Sequence, residues 1–192
     1  MSQKEIETFC PASQKDWRKW LEKNHRSTPS VWLVCYKKQS GMPVIPWSDL
    51  VEEALCFGWI DSKRKTIDAN SFQQFFCKRK PHGTWSKVNK EKIEQLIAEK
   101  RMTQAGLDCI EAAKQNGSWT ILDLVETLEI PKDLAKAFSK QPGSKKYFLS
   151  LSKSARKAIL QWVAFAKRPE TRQKRIEETA ALAAQRKKPK QF

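Results

Sequence analysis

The chain has 192 residues, with 37 Lys and Arg against 21 Asp and Glu, so its formal net charge is +16. Forty per cent hydrophobic residues and 19 aromatics, eight of them Trp, exclude a disordered chain in spite of that charge. The longest uninterrupted apolar run, Val31 to Tyr36, is six residues and far too short for a bilayer span.

In chain order, Ser13-Gln14-Lys15-Asp16 has capping-box spacing, and Trp17, Trp20 and Leu21 follow at i, i+3, i+4. This predicts an amphipathic helix that ends near Asn24-His25 and is broken by Ser27-Thr28-Pro29. The β-branched and aromatic run Val31 to Tyr36 predicts a strand buried on both faces and closed by Gln39-Ser40-Gly41. Ser48 is the expected cap of the next helix, with Asp49, Glu52 and Glu53 near the positive end of its dipole. Its apolar face is Trp47, Leu50, Val51, Ala54 and Leu55, and Gly58 is its left-handed stop. Trp59 to Asp68 and Phe72 to Lys80 read as a strand hairpin. A helix from about Asn89 is expected to bury Ile93, Leu96 and Ile97. Another, from about Thr103 to Asn116-Gly117, is expected to bury Leu107, Ile110 and Ala113.

After Trp119 the period changes to helix only. Pro131 opens a helix carrying Leu134, Ala135 and Phe138, and Gln141-Pro142-Gly143 breaks it. Ser152 caps a longer one with Ala155, Ile159, Trp162, Val163 and Ala166 inside. Pro169 starts a last helix to about Gln185, and Lys187 to Phe192 reads as a frayed basic tail. The fold class expected is α+β: a small, mainly antiparallel sheet with covering helices over residues 1–120, then an all-helical module over 121–186 and the tail 187–192. Residues 126–192 carry 17 basic and 6 acidic side chains against 20 and 15 in residues 1–125. A surface of this kind faces either water or something acidic.

No zinc-ligand spacing, Gly-rich phosphate loop, GxSxG, HExxH or Walker pattern occurs. The five Cys, at 10, 35, 56, 77 and 109, form no CxxC pair. No apolar stretch follows the N-terminus, so the expectation is a cytoplasmic chain with reduced thiols and no bound metal. Cys56, between Leu55 and Phe57, reads as a packed core thiol rather than a nucleophile.

Two constellations have functional readings. Asp61 and Arg79 at strand ends, with Trp85, Ser86 and Asn89 at a helix entrance, form a candidate anion pocket, since N–H groups at a helix start favour anions. The simpler reading makes Ser86 and Asn89 caps, Trp85 a staple and Asp61 the partner of Arg79. Arg168, Arg172 and Arg175, at i, i+4, i+7, form a candidate interaction stripe suited to phosphate or carboxylate. The simpler reading there is a solvated helix face.

Trp32-Leu33-Val34 with Tyr36-Lys37-Lys38, Glu53-Ala54-Leu55-Cys56-Phe57-Gly58-Trp59-Ile60-Asp61 and Trp85-Ser86-Lys87-Val88-Asn89 together resemble the YdeI/OmpD-associated (bacteriocin-protection) family. Met102 to Gly106 and Ala166-Lys167-Arg168-Pro169-Glu170-Thr171-Arg172 belong to the same resemblance, which runs from about Phe9 to Ala184. The chain departs from the family pattern at Lys78, where Pro is expected, and at Lys100, where Gly is expected. The resemblance implies a bacterial protein associated with tolerance of bacteriocins or cationic peptides and, for some members, with a porin. It implies no established enzyme activity, cofactor or catalytic residue. The function expected is therefore a non-catalytic stress or envelope-protection protein acting through an acidic protein or envelope component. The alternatives are a nucleic-acid-binding protein, by phosphate contacts and Trp stacking, and an enzyme built on the anion pocket.

Overall fold

Strands and helices share the first half of the chain in a computed structural model that describes residues 6–192. Residues 1–5 of the expected first domain lie outside the described residues. The elements are β1 (Thr8–Phe9), α1 (Gln14–Asn24), β2 (Ser30–Tyr36), α2 (Trp47–Cys56), β3 (Trp59–Thr66), β4 (Ser71–Lys78), α3 (Lys87–Ala98) and α4 (Gln104–Gln115). The sheet order is β1-β2-β4-β3, with β1 parallel to β2 and the other pairs antiparallel. The α+β class expected from the pattern is the one observed. The chain divides between Trp119 and Thr120 into two units.

Ser13 caps α1 as its sequence spacing predicts: its hydroxyl accepts the Asp16 N–H at 3.2 Å. Trp17, Trp20 and Leu21 then enter the core, and the Trp17 indole donates to the Leu50 carbonyl at 3.0 Å. That bond satisfies the one polar atom of a fully buried ring. The expectation for β2 needs correction. Val31, Leu33 and Cys35 are buried, but Ser30, Trp32, Val34 and Tyr36 alternate with them and are half-exposed. The helices α1 to α4 all contribute to the core cluster on one side of the sheet.

Four further expectations fail for identifiable reasons, the Ser48 cap and the burial of Trp47, Ile97 and Leu107. Pro46 stands at the start of α2, so Ser48 lies inside the helix instead of capping it. Trp47 is 52% exposed, and Ile97 and Leu107 also face out. Each sits at the margin of its helix's apolar stripe, where period alone does not separate face from flank. The two-residue strand β1 gives no period at all; it exists because the Trp32 N–H donates to the Glu7 carbonyl and the register follows.

Lys78 closes β4 with its N–H donated to Pro29 O at 3.1 Å, a bond that proline could not make. Lys100 follows α3 at φ +58°, a left-handed position, with the next N–H donated to Leu96 O at 3.0 Å. A side chain costs about 1 kcal/mol or more there, and glycine costs nothing sterically. Lys100→Gly is expected to raise stability by about 0.5 kcal/mol net of the extra freedom it gives the unfolded chain. A urea-unfolding midpoint at or below that of the parent would contradict this account.

The second unit contains α5 (Asp123–Glu126), α6 (Lys132–Ser139), α7 (Ser144–Ser150), α8 (Lys153–Ala164) and α9 (Pro169–Ala184). Leu134, Phe138, Phe148, Ile159, Val163 and Ile176 form its core. Ser152 caps α8 by accepting the Ala155 N–H, and Pro169 occupies the first position of α9. The short α5 and α7 are not anticipated by the periodicity. Gly143 at φ +80° lets the chain turn directly from α6 into α7. The tail is not frayed at its end: Pro189 is buried and the Phe192 ring meets Trp162 edge-on at 6.1 Å.

Candidate functional site

Arg79 follows β4, and its N–H still pairs with Gly58 O at 2.9 Å, so the side chain leaves the sheet edge in a fixed direction. Its guanidinium lies 3.5 Å above the Trp85 ring, and Nη1 donates to the Thr84 carbonyl at 3.2 Å. Trp85 is itself buried and packs at 5.1 Å on Trp119. Nε of Arg79 is buried with no hydrogen-bond partner, as is Nε1 of Trp59. Burial pushes the Arg79 pKa down to about 10, only partly opposed by the nearby Cys109 and Asp61.

Ser86 caps α3 by accepting the Asn89 N–H at 3.3 Å, the role its residue type predicts. Asp61 is held elsewhere. Its Oδ2 accepts Trp47 Nε1 at 3.2 Å and Gln74 Nε2 at 3.3 Å. Burial raises the Asp61 pKa, and the Trp47 bond and the Arg79 charge pull it back in part. The expected Asp61–Arg79 ion pair is therefore not formed. Asp61 stands in register opposite Phe76, and Trp47 and Gln74 take its carboxylate; in the β-bulge that follows, with one extra residue between Asp61 and Arg64, Gln74 donates also to Lys63 O. Arg79, Trp85, Ser86 and Asn89 come together around the start of α3. Asp61 joins Trp47 and Gln74.

A charged cluster of the N-terminal unit, around Glu53, was not identified from sequence. Glu53, 4% exposed, accepts Arg18 Nη1 at 2.7 Å, Arg101 Nη2 at 2.8 Å and Gln14 Nε2 at 2.9 Å. Its neighbour Glu52 accepts Lys92 Nζ at 2.6 Å and the Ser48 hydroxyl at 3.1 Å, and Arg101 Nη1 reaches both Glu52 and Glu99. Burial works against the Glu52 charge, but Lys92, Ser48 and Arg101 outweigh it and hold the carboxyl below its usual range. Burial likewise opposes the Arg101 charge, and Glu99 and Glu53 outweigh it. The period of α2 gives no signal for this cluster: Leu50, Val51, Ala54 and Leu55 form its apolar face, and Ser48, Asp49, Glu52 and Glu53 fall on the other side, where spacing alone predicts water.

Cys56 sits beneath this cluster, and burial pushes its thiol up to about 11, as it does for Cys35. At neutral pH such a sulfur is protonated and a poor nucleophile. The cysteines are unpaired. Among the described residues no group of three or more His, Cys, Asp or Glu side chains is placed to hold a metal ion. No helix of the described residues is long and apolar enough to cross a membrane.

In the helical unit the arginine stripe divides. Arg172 makes a two-pronged contact with Asp133, Nε to Oδ2 at 2.7 Å and Nη2 to Oδ1 at 3.1 Å, and Nη1 donates to Val163 O. Arg175 donates to the Trp162 carbonyl and lies over that ring at 4.9 Å. Both arginines stitch α9 to α6 and α8, and of the three only Arg168, at the start of α9, is exposed. The sequence could not show this, because Asp133 lies 39 residues away. The cations left in water are mainly lysines, among them Lys132, Lys136, Lys140, Lys145, Lys146 and Lys153.

Residues 9–109 match the family described as a domain of unknown function (DUF8412). Residues 127–186 match the family described as bacteriocin-protection, YdeI or OmpD-associated (OmdA). No curated protein and no solved structure matches the chain. The likeness read from sequence across Phe9 to Ala184 is thus found in the helical unit, and the N-terminal residues match a separate family.

Proposed function

We propose, for a chain that belongs to the DUF8412 family, a non-catalytic role in bacterial stress and envelope protection. The role is tolerance of bacteriocins or cationic peptides, exercised from the cytoplasm through an acidic protein or envelope component. In this reading the YdeI/OmpD-associated character extends over the N-terminal unit as well, through the Glu53 to Asp61 segment.

One observation carries the proposal. The stretch that matches the bacteriocin-protection family, residues 127–186, holds 14 basic and 5 acidic side chains. With Arg172 and Arg175 engaged inside the unit, the exposed lysines are the groups able to meet an acidic surface, over roughly a Debye length of about 8 Å. The enzyme alternative, built on the anion pocket, has less support, because Trp47 and Gln74, rather than Arg79, hold the Asp61 carboxylate. An anion site at Arg79 is favoured by its unpaired Nε alone.

Deleting the gene in its host is expected to lower survival under a cationic bacteriocin, and the parent gene to restore it. A variant with Lys136, Lys140, Lys145 and Lys146 replaced by Gln should fold normally and fail to restore survival. Equal survival with and without the gene overturns the tolerance role. Full restoration by the lysine variant overturns the acidic partner.

A further inference from the structure

The geometry points to the face of the sheet opposite the core cluster as a binding surface for single-stranded nucleic acid. This goes beyond the proposed tolerance role and does not rest on it, because the surface lies wholly in the N-terminal unit. On β2 the residues Val31, Leu33 and Cys35 join the core cluster, so Trp32, Val34 and Tyr36 point to the opposite face. On β4 Gln74 and Phe76 are buried, so Gln73 and Phe75 point with them. Trp32, Tyr36 and Phe75 are half-exposed and lie outside the core cluster that all four helices of this unit build.

The register assembles these residues into a platform. Trp32 stands opposite Phe75, and the two rings meet edge-to-face at 4.9 Å and 61°. On its other side Phe75 faces the β3 bulge, where Lys63 lies, and Lys65 stands opposite Gln73 on the same face. Both lysines are exposed. Tyr36 is four residues along β2 from Trp32, about 13 Å at the usual strand rise. The rings thus have two stations along one strand, with lysines along the β3 edge.

Charge selects the occupant. The outward positions of β2 and β4, from Ser30 to Tyr36 and Ser71 to Cys77, contain no Asp or Glu. Asp68, at the hairpin tip, is already occupied by the Asn70 and Ser71 N–H groups and the Ser71 hydroxyl. A face with rings, lysines and no carboxylate suits bases that stack and phosphates that need neutralising. Unpaired bases have free faces for such rings, whereas a duplex hides its bases in its own stack. A second copy of the chain would bring lysine against lysine with no carboxylate to pair them.

The test titrates the full chain into a short fluorescein-labelled oligouridylate, and separately into oligothymidylate, by anisotropy at several salt concentrations. Trp32→Leu and Phe75→Leu are each expected to weaken binding on the order of tenfold while the thermal melt stays cooperative. Lys63→Gln with Lys65→Gln should flatten the log–log salt slope by about 0.7 per lysine. If the ring variants do not fold, the lysine pair decides the matter, because it leaves the platform intact. The proposal is overturned by any of four results: no binding at low salt, a salt slope unchanged by the lysine pair, equal affinity for a duplex of the same length, or binding lost only when Lys145 and Lys146 of the helical unit become Gln. Self-association abolished by Trp32→Leu, without effect of any oligonucleotide, would instead assign the face to a second copy of the chain. Loss of oligonucleotide binding with intact bacteriocin tolerance in the host would separate this face from the tolerance role.

Discussion

Glu53→Ala is expected to cost this protein about 3 kcal/mol of unfolding free energy, the scale for removing one partner from a buried ion pair. The carboxylate bridges Arg18 of α1 and Arg101, which follows α3, and also takes the Gln14 amide. Its removal takes away the carboxylate that the two guanidinium groups share and leaves Arg101 with Glu52 and Glu99 and Arg18 with Glu22. The lower end of the scale applies because both arginines keep about 28–29% of their side-chain surface in contact with water. Glu53→Gln should cost less, about half as much, since an amide keeps the volume and one acceptor. Urea unfolding of the parent and both variants checks this directly. A loss under about 1 kcal/mol for the alanine variant would show that the arginines rehydrate freely and that the bridge is a surface-type pair.

Gly106→Ala should destabilise by about 2 kcal/mol, the reverse of what a helix-propensity scale gives. Gly106 lies in the first turn of α4 and is buried against the end of α2. A Cβ at this position would stand 2.4 Å from the Cys56 carbonyl oxygen and 2.7 Å from Met102 Cε. The methionine end can move, but the carbonyl is backbone. It is also held in place, since it accepts both the Thr103 N–H at 3.1 Å and the Thr103 hydroxyl at 2.7 Å. Alanine in a helix gains about 1 kcal/mol over glycine. Overpacking against a fixed main chain costs about 1–3 kcal/mol, and the loosened Thr103 bonds add to it. A melting temperature at or above that of the parent would show that α4 can slide away from α2 freely. The adjacent Gly58 reports the same tight crossing, with the Ala105 oxygen 3.0 Å and the Cys109 Cβ 3.2 Å from where its Cβ would be.

Local chemistry is what made most of the elements readable. Ser13 and Ser152 announce their helices because a hydroxyl at that spacing satisfies an amide of the first turn whatever the rest of the fold does. Trp17, Trp20 and Leu21, or Ile159 and Val163, mark a buried stripe by period alone. The hairpin of β3 and β4 follows from two strand-like runs with a polar turn between them. Ser48 shows where this reasoning ends. Its residue type fits a cap, but Pro46 starts the helix and Lys92, from another helix, takes the hydroxyl.

The candidate sites were legible to a smaller degree. Trp85 and Ser86 are neighbours in sequence, a cap and the ring before it, and Arg79 stacks on that ring. The Asp61–Arg79 pair was not made, since Trp47 and Gln74 hold the Asp61 carboxylate. The amino-acid sequence by itself determined the α+β class, the change to helix after Trp119, the excess positive charge and the ends of most helices, all set by neighbours a few residues apart. Only the tertiary structure decided which charges are spent inside, Glu53 between Arg18 and Arg101 and Arg172 on Asp133. Those outcomes depend on partners that lie 35 to 48 residues away along the chain, and burial makes a charge select such a partner by distance in space rather than by spacing in sequence.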